Sequence, residues 1–174
     1  DFSTPTTAFN NIKHAIQSGI PVISGTTGWL DKLSAIEELC ISKSSAFLYA
    51  SNFSLGMNIF FELNKKLAKL MKNQNYKSTI HEIHHTQKLD SPSGTALSLG
   101  EQMDSVLTKN TPITSERIED VPGTHIVTYE SSIDEIEITH TAKNRDGFAM
   151  GAIIAAEWIV GKKGIFSMKD VLTQ

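Results

Sequence analysis

Apolar and polar positions alternate with a helical period at the start of the chain. Ala8, Ile12, Ala15 and Ile16 follow Thr4, a residue suited to cap a helix, and Pro5, suited to its first turn. Gly19-Ile20-Pro21 stops that helix, and Pro21-Val22-Ile23 predicts a short strand that runs out into Gly25-Thr26-Thr27-Gly28. Asp31 is placed to cap a second helix with Leu33, Ile36, Leu39 and Cys40 on its inner face, and residues 46–50 predict a second buried strand. Residues 1–50 therefore read as α-β-α-β, the alternation of a parallel sheet covered by helices.

The pattern then changes. A helix is predicted over 57–72, with Phe60, Leu63, Leu67 and Leu70 inside and Lys65, Lys66 and Lys69 outside. Another begins near Pro92, capped by Ser91 or Ser93, with Ala96, Leu99, Met103 and Val106 along one stripe. Residues 124–130 and 136–141 alternate with period two and predict an antiparallel pair. An Ala- and Ile-rich stretch, 148–160, predicts a helix buried nearly all round and ended by Gly161. The switch from α/β alternation to helices plus a hairpin places a domain boundary near residue 54.

Composition narrows the class. The 174 residues are 40% apolar and 20% charged, ordinary for a globular protein. Lys and Arg number 16 against 19 Asp and Glu, a net charge of −3, which argues against a nucleic-acid or anionic-membrane partner held by bulk charge. The single cysteine, Cys40, excludes an internal disulfide and a Cys-rich zinc site, and suits a reducing compartment such as the cytoplasm. No apolar run reaches the roughly eighteen residues of a membrane span.

The chemistry concentrates in residues 81–95, HEIHHTQKLDSPSGT. His81-Glu82-Ile83-His84-His85 matches H-E-x-x-H, the zinc-hydrolase pattern, which needs a helix so that both imidazoles share a face. Residues 76–85 carry no Ala or Leu and favour a strand, where His81 and His85 would stand about 13 Å apart and could not share one ion. No metal is expected. The residues that follow offer more. Ser91-Pro92-Ser93-Gly94-Thr95 opens a helix whose free N–H groups suit an anion, Gly94 allows close approach, Ser93 and Thr95 add hydroxyls, and Lys88 adds a cation. His84 and His85 each present an imidazole, a group suited to proton transfer. Together they form a pocket for a small carboxylate beside a proton donor; solvated His and Lys ahead of a capped surface helix would give the same sequence. Gly25-Thr26-Thr27-Gly28 and Ala50-Ser51-Asn52-Phe53 fall at the carboxyl ends of adjacent strands, where α/β sheets bind ligands.

Residues 84–96, HHTQKLDSPSGTA, resemble the signature of the dihydrodipicolinate reductase family, His-His-x-x-Lys-x-Asp-x-Pro-Ser-Gly-Thr-Ala. Asp1-Phe2-Ser3, Gly25-Thr26-Thr27-Gly28, Ser51-Asn52-Phe53-Ser54-Leu55-Gly56 and Arg145-Asp146-Gly147-Phe148-Ala149 resemble that family's other blocks, in its order. The resemblance implies a partial Rossmann-type parallel-sheet domain in residues 1–53, an α+β substrate and oligomerisation domain with a mixed sheet in 54–147, and a return to the first domain in 148–174. It implies reduction of the cyclic dihydrodipicolinate, formed from 4-hydroxy-tetrahydrodipicolinate, to tetrahydrodipicolinate in lysine and diaminopimelate biosynthesis, with NADPH or NADH as cofactor and a homotetrameric assembly. Position by position, it implies that His84 and Lys88 donate the proton and that His85, Ser93, Gly94 and Thr95 bind substrate. Gly25, Thr26, Thr27, Ala50, Ser51, Asn52 and Phe53 would line the nicotinamide.

Two departures accompany the resemblance. The family's opening strand and G-x-G-x-x-G turn have no counterpart, so the expectation is a chain that lacks the first βαβ portion and binds dinucleotide too weakly for activity in isolation. Residues 117–125 replace the Arg-x-Gly-Asp-like run of many members. The rival readings are another two-domain NAD(P)-dependent dehydrogenase of a small acid, and an inactive scaffold that only oligomerises.

Overall fold

A computed structural model of the chain describes residues 1–173. It divides into two compact units, residues 1–58 with those from 146 onward, and residues 59–145.

In the first unit, α1 (Pro5–Gln17) starts as its sequence dictates. Pro5 sits in the first turn, and the Thr4 backbone N–H donates to Thr7 Oγ1 at 3.3 Å. Next come β1 (Val22–Ser24), α2 (Leu33–Ser42) and β2 (Ala46–Tyr49), with α5 (Asp146–Trp158), β7 (Gly164–Phe166) and α6 (Met168–Leu172) from the far end of the chain. The strands form a parallel sheet in the order β1-β2-β7. Alternation along β2 sends Phe47 into a core with Ile12, Ile16, Trp29, Ile36 and Cys40. Ala46 and Leu48 enter a second core with Phe53, Ala155, Ile159 and Met168. Each face of the sheet is thus covered, as a parallel sheet requires.

Two expectations for this unit need correction, and one strand was not foreseen. Asp31 caps no helix: it lies in a 3-10 turn, Leu30–Lys32, and Lys32 stands at the α2 N-terminus without a side-chain cap. Buried Trp29, whose Nε1 donates to the Thr26 carbonyl at 2.7 Å, anchors the chain and tightens that turn. Nor is α5 buried all round. Gly151 and Ala155 are its buried residues, while Met150 and Ile153 are exposed. The helix lies close on the chain at Phe53, where a Cβ on Gly151 would stand 1.8 Å from the Phe53 carbonyl oxygen. The third strand, β7, had no distinct sequence signal in its three residues.

The second unit holds most of α3 (Leu55–Met71), then β3 (Lys77–His84), α4 (Gly94–Leu107), β4 (Ile113–Arg117), β5 (Gly123–Glu130) and β6 (Glu135–Ala142). Its four strands run β4-β3-β5-β6, with β3 parallel to β4 and antiparallel to β5, and β5 antiparallel to β6. The sheet is therefore mixed, and the expected hairpin is β5-β6. One face is buried: Ile80, Val127 and Tyr129 lie in the interior, as do Leu99 and Met103 of α4.

The buried stripe of α3 differs from the expected one. Met57, Phe60, Asn64, Ala68 and Met71 are buried, whereas Leu63 is exposed and Leu70 is 66% exposed. Asn64 can lie inside because its Nδ2 donates to the Leu99 carbonyl and to Gln102 Oε1, each at 3.3 Å.

Candidate active site

The pleat of β3 makes the site. Ser78, Ile80, Glu82 and His84 alternate onto the buried face. Glu82 is 0% exposed, unusual for a carboxylate unless it is fully paired. Its Oε1 accepts from the Ser93 backbone N–H at 3.1 Å and from Arg117 Nη2 at 3.0 Å. Its Oε2 stands 2.8 Å from His84 Nδ1, a close contact whose angle falls short of a hydrogen bond. The His125 ring, on neighbouring β5, packs edge-on to His84 at 5.0 Å between centroids. Gly123 of β5 packs against the same imidazole: a Cβ there would lie 3.0 Å from Nε2, so a side chain at this position would crowd that nitrogen.

The loop from β3 to α4 adds charge. Ser93 caps α4, its Oγ accepting from the Ala96 N–H at 3.2 Å, and the same oxygen lies 3.3 Å from His125 Nε2. Lys88 Nζ pairs with Asp90 Oδ1 at 2.7 Å, while Asp90 Oδ2 accepts from the Gly94 N–H at 3.3 Å. One internal carboxylate therefore bridges the ammonium and the helix N-terminus that the sequence offered to a ligand. Arg117 ties the loop down by donating to the Asp90 carbonyl at 2.7 Å. Gly94 is open, with nothing within 4 Å of where a Cβ would stand, and Thr95 is half-buried beside it. His85 instead lines a cleft of about 330 Å³ with Gln87, Glu119, Asp120 and Arg145.

These surroundings move the titrations. Burial alone would raise the Glu82 pKa, but hydrogen bonds from Ser93, Ser115 and Arg117 outweigh it and hold the carboxyl down at about 2. Burial lowers the His84 pKa; Glu82 opposes that shift, while Lys88 and Arg117 add to it. For His125, burial and then the neighbouring His84 push the pKa down to about 4. The arrangement is a carboxylate ionised at any working pH beside an imidazole made a stronger acid than usual.

Lone-pair atoms of Glu82, His84 and His125 lie within 4.8 Å of one another, close enough for three ligands of one ion. The Arg117 guanidinium already bonds that carboxylate and Lys88 acts on the same imidazole, so two fixed cations oppose a divalent one there. The H-E-x-x-H reading fails on geometry: residues 81–84 are strand, and His81 is spent on Thr114 Oγ1 at 2.8 Å.

The first unit has a cleft of different character. About 510 Å³ in volume, it is lined by Phe2, Gly25, Ser51, Asn52, Phe53 and the Phe148 end of α5. The Phe2 and Phe53 rings meet edge-to-face at 5.3 Å, and a Cβ on Gly25 would collide with Phe2 at 2.4 Å. Of the seven residues expected to meet a nicotinamide, Gly25, Ser51, Asn52 and Phe53 share this cleft. The Thr26 hydroxyl is spent within the fold, donating to Asp1 Oδ2 and accepting from the Ser3 N–H, both at 2.9 Å. Thr27 is exposed, and Ala50 uses its N–H on the Ser24 carbonyl at 3.1 Å.

Sequence reasoning missed Glu82, Asp90, Arg117, Gly123 and His125. Two of these had a signal: if His84 faces inward on a strand, so does the residue two before it, and Asp90 is a fixed position of the signature matched by residues 84–96.

Comparison with known proteins agrees with the signature. Residues 1–53 match the family model for dihydrodipicolinate reductase, N-terminus, and residues 56–172 that for dihydrodipicolinate reductase, C-terminus. A 4-hydroxy-tetrahydrodipicolinate reductase from Christiangramia forsetii is 56% identical over 99% of this chain and 78% of its own length. One from Buchnera aphidicola is 37% identical over 99% of this chain and 70% of its own. Among solved structures, a dipicolinate-bound dihydrodipicolinate reductase from Paenisporosarcina shares the fold, with a TM-score of 0.81 at 22% identity over 97% of this chain and 71% of that one. Two consecutive family models and relatives aligned along nearly the whole chain leave one assignment: this chain belongs to the dihydrodipicolinate reductase family.

Proposed function

We propose that this chain catalyses the reduction of dihydrodipicolinate, derived from 4-hydroxy-tetrahydrodipicolinate, to tetrahydrodipicolinate, with His84 as proton donor and Lys88 with the α4 N-terminus as the carboxylate clamp. The observation that carries this reading is the placement of His84 beside Lys88 and the Ser93-capped start of α4, all within one short stretch of chain. The reductase names of the relatives and the dipicolinate in the solved neighbour support a dicarboxylate heterocycle as ligand.

Residues 1–53 and 148–174 would form the dinucleotide half, and 54–147 the substrate and oligomerisation half. The first unit's cleft fits a flat, weakly polar ring: Phe2, Phe53 and Phe148 exclude water, Gly25 gives room at the strand end, and Ser51 and Asn52 supply polar edges. NADH or NADPH bound there supplies the hydride. The proton is this chain's task. Nδ1 of His84 is turned to the buried Glu82 carboxylate, so Nε2 is the atom from which the proton leaves. The Lys88 charge makes His84 a stronger acid as well as attracting the substrate. A substrate carboxylate displaces Asp90 from Lys88 Nζ and the Gly94 N–H, exchanging one anion for another at a helix N-terminus.

The half-buried sheet of the second unit, with its β6 residues exposed, suits pairing of subunits into a homotetramer. Buried Cys40 suits a cytoplasmic, reducing setting.

In the full-length enzyme, Lys88→Ala should lower kcat/KM by roughly 10³-fold or more with fold and assembly intact, and His84→Gln should lower kcat by about 10²–10⁴-fold with little change in KM. Unchanged turnover in both variants would overturn the reading.

A further inference from the structure

Resting on the assignment of His84 as proton donor, we propose that Glu82 is a positioning residue for that reaction: its buried carboxylate holds the imidazole with Nδ1 inward, so that Nε2 carries the transferred proton, and ties the ring to the start of α4 and to Arg117. Glu82 reaches three elements at once. It meets its own strand through His84, β4 through Arg117 Nη2 at 3.0 Å, and the helix start through the Ser93 N–H at 3.1 Å. Oε1 takes those two donors, while Oε2 stands 2.8 Å from His84 Nδ1, and neither of these two buried atoms has a hydrogen-bond partner. A buried anion next to one ring nitrogen favours the proton on that nitrogen, which fixes the neutral tautomer and stabilises the doubly protonated ring.

The choice matters because the two ring nitrogens are not equivalent here. Nδ1 is buried against the Glu82 carboxylate, whereas Nε2 lies beside Gly123, which has no side chain to cover it. Were the ring to carry its neutral proton on Nε2 and flip, no buried group would replace Glu82 in holding it. Every charged or titratable neighbour of His84 pulls in a stated direction. Glu82 on β3 and Asp90 in the following loop favour the imidazolium; Lys88 in that loop and Arg117 on β4 disfavour it. His125 on β5 is itself held neutral near pH 7 by burial. Removing the Glu82 charge therefore leaves two cations facing His84, with Asp90 as the remaining anion.

The test combines kinetics with imidazole NMR on the full-length enzyme. In the wild type, nitrogen chemical shifts of neutral His84 should place its proton on Nδ1. Glu82→Gln, nearly isosteric, should lower kcat about 10–100-fold with KM within threefold. The limb of the kcat profile that falls as pH rises through the His84 titration should move to lower pH by about one unit, because the imidazolium loses its nearest anion. Glu82→Asp, which keeps the charge, should recover part of the rate and of the limb. A kcat loss with an unmoved limb and unmoved His84 resonances would reduce Glu82 to a structural role and overturn the proposal. So would a wild-type His84 protonated on Nε2, which decides the matter even if Glu82→Gln fails to fold. If His84→Gln keeps full kcat, the proton-donor assignment fails instead, while the tautomer measurement still reports whether Glu82 sets the ring.

Discussion

The apolar cleft of the first unit and the charged cluster of the second solve opposite problems. The cleft is walled by three phenylalanines, a glycine and small residues of α5, with no ionisable side chain lining it. The second unit's site packs Glu82, His84, Lys88, Asp90, Arg117 and His125 within a few contacts of one another. A ring that delivers hydride needs a dry, shaped wall, whereas a dianion that must be protonated needs fixed charges. The first region is accordingly sensitive to added volume, and the second to lost or gained charge.

The largest effect that separates them is steric. Gly151→Ala places a Cβ 1.8 Å from the Phe53 carbonyl oxygen, so α5 must withdraw from the wall of the apolar cleft. We expect about 3 kcal/mol or more of lost stability in the first unit, toward or beyond the upper end of overpacking costs. Hydrogen exchange should show protection lost there and kept in β3 and β5. Unaltered protection in the first unit would mean that the contact is not as tight as described.

Acid should do the reverse. The folded His125 takes up its proton only near pH 4, whereas an unfolded histidine does so near 6.5. The unfolded chain therefore gains protons first, and stability falls as pH drops through that interval, by about 2 kcal/mol between pH 7 and pH 5. Glu82, held at about 2 against 4.5, contributes stability that is present above 4.5 and lost below it as the carboxyl protonates. Urea unfolding at pH 7 and pH 5 should show the first loss, and His125→Asn should reduce it, leaving the part contributed by His84 and His140. An equal loss in that variant would assign the acid sensitivity elsewhere.

The smallest effect concerns the internal competitor. Asp90→Asn removes the carboxylate that bridges Lys88 and Gly94. As the pair is part-exposed, its contribution is about 0.2–1 kcal/mol, so the dicarboxylate KM should fall by up to about fivefold. A raised KM would show that Asp90 organises Lys88 rather than competing for it.

The contrast also explains what was legible in the sequence. Helical periods located α1 and α4, which each bury one face, short apolar runs bounded by turn residues located β1 and β2, and period-two alternation located the β5-β6 hairpin. They misplaced the α3 stripe, because Asn64 finds buried partners on α4 and so takes a position that leucine would be expected to hold. In the site, His84, Lys88 and Ser93 stood in one contiguous block. Glu82 lay in plain view two residues before His84 but is a residue type rarely buried, and its partner Arg117 is joined to it through strand pairing alone. The apolar cleft was partly legible, since glycine and small polar residues at strand ends mark such places, while Phe2 and Phe148 reach it only through the fold.

The most direct measurement is a crystal structure of the full-length enzyme soaked with pyridine-2,6-dicarboxylate. One carboxylate should replace Asp90 on Lys88 Nζ and the Gly94 N–H, with the ring within hydrogen-bonding reach of His84 Nε2. A dicarboxylate bound away from the start of α4, with the Lys88–Asp90 pair intact, would contradict the account.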